Sequence, residues 1–145
     1  MIAYIACDTK IPFFPRRIIS NWIKKIVLKY QKRIGDISYI FCSEEKMLDI
    51  NREYLSHNYL TDIITFDYTE NNCLSGDVFI GTSVVRSNAK KYRVTFENEL
   101  YRVMIHGILH LCGINDKTEI ERSFMEYEEN EALIQLENMN FITRK

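Results

Sequence analysis

The stretch His106-Gly107-Ile108-Leu109-His110-Leu111-Cys112-Gly113-Ile114-Asn115-Asp116 sets two imidazoles four residues apart, then a glycine, then a carboxylate. Residues at i and i+4 share one face of a helix, so both rings can reach one ion at the ~2.0–2.1 Å that a Zn–N bond requires. Gly113 is placed to end that helix, because a glycine at the C′ position takes the left-handed conformation without a Cβ clash. The chain then turns back and brings Asp116 to the same ion. His106, His110 and Asp116 are therefore read as metal ligands that leave a fourth position open, the arrangement of a catalytic zinc. The plain alternative is two helix residues, a glycine cap and a loop acid. Against it, a chain with only three histidines places two of them at this spacing on an otherwise apolar helix.

The same offsets occur in the zinc-peptidase pattern H-E-x-x-H-x-x-G-x-x-H, which fixes its second ligand, its glycine and its third ligand at these positions. Two residues differ. Asp116 stands where the third His would be, a change zinc tolerates because it accepts carboxylate oxygen at ~2.0–2.2 Å. Gly107 stands where the peptidases carry the Glu that acts as general base, and a glycine has no side chain to accept a proton. Hydrolysis at this site has to find its base elsewhere.

The chain is 145 residues long, 46% hydrophobic and 27% charged, which describes one globular domain over residues 1–145 able to bury about two thirds of the surface its unfolded chain exposes. No apolar run approaches the ~20 residues of a membrane span, and residues 1–7 lack the basic and long apolar regions of a secretory signal, so no membrane is involved and a cytoplasmic protein is expected. Cys7, Cys42, Cys73 and Cys112 are widely spaced without a C-x-x-C pair, and reduced, mostly buried thiols follow. Cys112 does not continue the face of the two His and is left out of the ligand set.

Net charge is only −1, which argues against a bulk polyanion binder, but the charges are segregated. Lys10, Arg16, Arg17, Lys24, Lys25, Lys29, Lys32 and Arg33 follow one another with no acid between them, while Glu119, Glu121, Glu126, Glu128, Glu129, Glu131 and Glu137 crowd the C-terminal segment. A basic and an acidic surface are expected to coexist, the former able to form a local RNA-facing patch, with the plain alternative that both runs are solvated helix faces.

Periodicity assigns the elements. Residues 2–7 read as a strand, and Ile18, Ile19, Trp22, Ile23, Ile26, Val27 and Tyr30 place a helix over 16–33. Ile37, Tyr39 and Phe41 alternate in a strand over 36–42, and Ser43 caps a helix that reaches about Leu55. Residues 61–68 and 76–81 form a hairpin around Glu70-Asn71-Asn72. Helices follow over 82–92 and over 96–112, the second capped by Thr95, and Thr118 with Glu121 makes a capping box opening a last helix to about 138. The expected fold is α+β, a small mixed four-stranded sheet packed with about five helices, with the metal site on a central helix and the turn after it.

With these elements in place, the chain resembles the YbeY-type rRNA maturation factors, single-domain metal-dependent endoribonucleases of bacteria. His106-Gly107-Ile108-Leu109-His110-Leu111-Cys112-Gly113 is similar to that family's H-G-x-L-H-L-x-G, including the glycine a peptidase lacks. Asn51-Arg52-Glu53-Tyr54-Leu55 and Thr61-Asp62-Ile63-Ile64-Thr65-Phe66 resemble its N-x-x-[YF] and T-D-V-L-S-F segments, and Gly76-Asp77-Val78-Phe79-Ile80 its G-D-I-x-I strand. The departure is Asn115-Asp116, where the family usually reads Asp-His.

The resemblance implies hydrolysis of phosphodiesters in single-stranded RNA, acting in 16S rRNA 3′ end maturation and ribosome biogenesis with the small ribosomal subunit as partner. One Zn²⁺ per chain would be held by His106, His110 and Asp116, and Arg52 would fork onto a phosphate as a catalytic residue. Asp62 is read as a hydrogen-bonding residue at a strand entry rather than as a base, and His57 as a solvated loop residue. The alternatives are a zinc metallopeptidase and a non-catalytic ribosome-associated factor whose metal is structural.

Overall fold

Ile37, Tyr39 and Phe41 alternate as the sequence predicts, and they lie in β2 (Arg33–Cys42), the longest strand of a four-stranded sheet in this computed structural model, which describes residues 1–56 and 60–143, with 140–143 by backbone alone. The chain runs β1 (Ile2–Ala6), α1 (Arg16–Leu28), β2, α2 (Glu44–Leu55), β3 (Ile63–Asp67), β4 (Cys73–Gly81), α3 (Thr82–Tyr92), α4 (Phe96–Leu111) and α5 (Glu119–Thr143). Sheet order is β1-β2-β4-β3. β1, β2 and β4 are parallel, with Ala6 opposite Phe41 and Tyr39 opposite Val78, while β3 runs antiparallel to β4 with Phe66 opposite Asp77. The sheet is mixed and the fold α+β, as expected.

Turn chemistry explains the boundaries. Asn71 and Asn72 both take positive φ, 50° and 65°, and Glu70 and Cys73 exchange backbone hydrogen bonds, giving a two-residue hairpin turn whose twist matches the strands. Helix α1 stops at Leu28, short of the expected 33. Gln31 takes φ 61°, and its N–H and that of Lys32 bond back to Leu28 O and Val27 O, a Schellman-type stop made without glycine. Arg33 consequently starts β2. Helix α5 runs beyond the expected 138 to Thr143, and its N-terminal capping box forms as predicted, Glu121 N–H on Thr118 Oγ1 at 3.1 Å and Thr118 N–H on Glu121 Oε1 at 2.9 Å.

The sheet is covered on both faces. Ile19, Trp22, Ile23 and Ile26 of α1 pack with Tyr39, Phe41, Leu100, Met104 and Ile108 on one side, where Met125, Ala132 and Leu136 of α5 join them. Met47 and Ile50 of α2 cover Ile64, Phe66 and Phe79 on the other. Along β3 the alternation is explicit: Ile63 and Thr65 face α4 at Gly107, and Ile64 and Phe66 face α2. Buried aromatics have their polar atoms satisfied, since Trp22 Nε1 donates to Ala132 O at 2.8 Å and the Tyr39 hydroxyl to Met104 O at 2.9 Å. Among the described residues no helix is long and apolar enough to cross a membrane.

Candidate metal centre

Thr95 opens α4 by accepting the Asn98 N–H at 3.0 Å, and the helix then carries Leu100, Val103, Met104, Ile105, Ile108 and Leu109 fully or almost fully inside. That packing sets the helix's rotation. His106 and His110 are left half-buried on one face, with rings edge-to-face and centroids 4.5 Å apart. The helix ends as its sequence predicts. Gly113 takes φ 99°, and its N–H and that of Ile114 bond to His110 O at 2.9 Å and Leu109 O at 3.0 Å, which closes a Schellman motif and reverses the chain.

Asp116 is thereby brought over the two rings. Its Oδ2 lies 3.3 Å from His106 Nε2 and 3.2 Å from His110 Nε2, and the donor atoms all fall within 4.8 Å of one another. A tetrahedral ion with bonds of ~2.0–2.1 Å needs donor separations of about 3.3–3.4 Å, so these atoms stand close to where a zinc ion would hold them. Among the described residues this group stops at three, leaving a fourth coordination position to other ligands. Cys112 does not join it.

Behind the site lies a layer that the sequence did not disclose. Glu129 of α5 is 7% exposed, and its Oε2 sits 2.5 Å from His106 Nδ1. A carboxylate there keeps the proton on Nδ1 and turns the Nε2 lone pair towards Asp116, the outer-shell arrangement that orients metal-binding histidines. Glu129 is in turn held by Arg102, whose Nη1 donates to Oε1 at 3.0 Å while Nη2 donates to Asn130 Oδ1 at 2.7 Å. From the sequence Glu129 belongs to an acidic helix surface. The overlooked signal is its place in the buried stripe Met125, Glu129, Ala132, Leu136, spaced as one helix face.

The electrostatics suit a cation. A cleft of about 530 Å³ opens beside His106 and Asp116, walled by Glu99, Arg102, Arg122 and Glu129, and a smaller one of about 210 Å³ joins His106 to Asp62. Burial works against a charged His106 ring, but the Glu129 hydrogen bond and charge, with Asp116 and Asp62, outweigh it and raise the pKa. Asp62 is pushed up by burial, against the opposing pull of His106 and of its own and Ile63's backbone N–H groups. Glu99 is raised by burial and by the Asp62 charge. These carboxylates share a poorly solvated space with few cations, which favours uptake of one.

The remaining site candidates are distributed differently. Asp62 stands immediately before β3 and lines the smaller cavity. Arg52 lies exposed in the last turn of α2, on the face of the sheet opposite α4, and lines neither cavity. His57 lies outside the described residues.

Glu129→Gln is expected to keep the fold and weaken metal binding about tenfold, and Glu129→Ala about 100-fold, since outer-shell partners of ligating histidines carry effects of this size. Competition against a chromophoric chelator reads both values. Unchanged affinity in the alanine variant would remove Glu129 from the site.

The chain is matched over residues 6–137 by the family model described as Endoribonuclease YbeY. A protein named Endoribonuclease YbeY from Parabacteroides distasonis is 56% identical over 132 residues, 91% of this chain and 93% of the relative. One of the same name from Porphyromonas gingivalis is 45% identical over 136 residues, covering 94% and 90%. The solution structure of TM1509 from Thermotoga maritima superposes with a TM-score of 0.63 over 95% of this chain and 93% of that one, and at 24% identity it shows the likeness of fold.

Proposed function

The chain belongs to the YbeY endoribonuclease family, and from that membership we propose that it is a single-strand-specific, metal-dependent endoribonuclease of the cytoplasm that acts on rRNA, at the 3′ end of 16S rRNA, in association with the small ribosomal subunit. The observation that carries the metal dependence is the convergence of His106 Nε2 and His110 Nε2 on Asp116 Oδ2 at 3.3 and 3.2 Å.

His106, His110 and Asp116 are the residues that would hold the ion, with zinc favoured by the two imidazoles and the carboxylate moving the preference slightly towards Mn²⁺. When bound, zinc supplies Lewis acidity towards a phosphoryl oxygen and lowers the pKa of water. The chain's own contribution is positional. Glu129, braced by Arg102, fixes the His106 ring, and the acid-lined cleft repels a phosphate until a cation offsets its charge. Asp62, held near His106 with a raised pKa, is placed to accept a proton in the smaller cavity. A three-donor set also leaves room for substrate, which a purely structural site would fill with a fourth protein ligand.

Arg52 acts from the other layer. β3 is an edge strand between α2 and α4, so a single RNA strand crossing that edge would meet Arg52 on one side and the histidines on the other. Its guanidinium suits a phosphate neighbouring the scissile one.

The test is cleavage of single-stranded and duplex RNA by purified protein, before and after chelation and after return of Zn²⁺ or Mn²⁺, with a casein assay in parallel. Cutting confined to single strands, lost on chelation and restored by metal, is the expected result. Arg52→Ala should lose about tenfold in cleavage at low salt with metal content intact. Casein hydrolysis, or RNA cleavage indifferent to chelation, would refute the proposal.

A further inference from the structure

A second group of donor atoms sits at the opposite edge of the sheet. β1 and β2 run parallel with Ala6 beside Phe41, and Cys7 N–H continues the ladder onto Phe41 O at 3.0 Å, so the next residues, Cys7 and Cys42, emerge side by side. Asp8 follows. Its carboxylate receives the Ser43 backbone N–H at 2.8 Å on Oδ1 and the Ser43 hydroxyl on Oδ2, and Ser43 is the N-cap of α2. The two sulfurs and a carboxylate oxygen all lie within 4.8 Å of one another.

We propose that Cys7, Asp8 and Cys42 form a second cation site, distinct from the histidine centre, that takes a thiophilic divalent ion such as Zn²⁺ or Cd²⁺ through two thiolates and one carboxylate. The donor set is softer than that of the histidine centre and selects accordingly. Binding breaks two S–H bonds, releases both protons to solvent and forms two S–metal bonds, with no change of oxidation state. The resulting complex carries one net negative charge, and it lies at the N-terminus of α2, where backbone N–H groups favour an anion. The Lys46 charge also bears on both Asp8 and Cys42.

The arrangement is accessible yet braced. Cys7 and Asp8 are exposed and give an entry path, while Cys42 is buried at the back of the group. The Ser43 hydrogen bonds fix the Asp8 carboxylate, so one ligand is in place before the ion arrives.

Cd²⁺ titration of the reduced full-length chain, followed by thiolate-to-metal charge-transfer absorbance in the near ultraviolet, tests the site. The band should appear in wild type and reach one equivalent in His110→Ala, whose histidine centre no longer competes for the ion, which separates the two sites. In Cys7→Ser, a substitution at an exposed position that leaves the fold intact, affinity should fall at least about tenfold. A wild-type chain without the band, or a band unaffected by Cys7→Ser, overturns the proposal. So does a reduced chain that ignores Cd²⁺ and loses two thiols to a disulfide in air.

Discussion

A His110→Ala chain is expected to purify folded, to hold metal at the background level at the histidine centre and to cleave RNA about 10³-fold more slowly than wild type. Folding should survive because the His110 side chain is 30% exposed, its described partners are Asp116 and the His106 ring, and alanine is the better helix former. Metal should not survive. Removing an outer-shell partner already costs 10–100-fold in affinity, and deleting one of three direct donors costs more. The Lewis-acid contribution to phosphodiester cleavage is worth several kcal/mol, and about 4 kcal/mol corresponds to that loss of rate. A second readout needs no activity. An ion present at about 100 times its Kd stabilises the folded chain by about 2.7 kcal/mol, which for this size moves Tm by about 5–10 °C. Chelation should therefore lower the Tm of the wild type by that amount more than it lowers the Tm of His110→Ala, which keeps only the thiolate group at Cys7 and Cys42. Equal metal content in the two proteins would show that the ion, if any, sits elsewhere.

The parts of this site that were legible from sequence are those whose geometry is local. His106, His110 and Gly113 lie on one helix and its cap, and Asp116 follows within one turn of chain, so spacing alone places them. The same holds for the Asn71-Asn72 turn and for the Thr118 and Glu121 capping box. What escaped depends on which elements pack together. Glu129 reaches His106 across 23 residues through the contact of α4 with α5, and Arg102 is recruited by that same contact. The segregated charges likewise predict a basic surface and an acidic surface that stand apart. In the fold Lys29 and the Tyr30 hydroxyl close on Glu128 at 3.1 and 2.8 Å, so part of the basic run neutralises part of the acidic one. Cys7 and Cys42 meet because β1 and β2 pair in parallel, a fact no local pattern carries. The placement of Arg52 in the layer opposite the histidines is a consequence of the alternation along β3, whose Ile64 and Phe66 face α2.

Gly107→Glu separates nuclease from peptidase most sharply, because it completes the H-E-x-x-H pattern and should nevertheless yield a damaged protein with no peptidase activity. The reason is direction. A Cβ built on Gly107 meets Ile63 Cδ1 at 3.0 Å, Val78 Cγ1 at 3.2 Å and Thr65 Oγ1 at 3.4 Å, so a side chain there grows into the seam between α4 and the sheet. Alanine is tolerable at that position, since the ~1 kcal/mol it gains over glycine in a helix offsets a few tenths of an ångström of repacking. Glutamate is not, because overpacking costs about 1–3 kcal/mol and a carboxyl group forced among apolar side chains must be protonated or left unpaired at further cost. Together these should remove at least about 3 kcal/mol, a large share of the 5–15 kcal/mol typical of a domain, and lower Tm by about 6–12 °C. Urea melts of wild type, Gly107→Ala and Gly107→Glu give the ordering directly, with alanine near wild type and glutamate far below it. A glutamate variant as stable as wild type that hydrolyses casein would mean that position 107 faces the ion after all. The small residue in this motif then has a physical explanation independent of any base: helix α4 packs this closely on Ile63, Thr65 and Val78 only where the side chain at 107 is no larger than alanine.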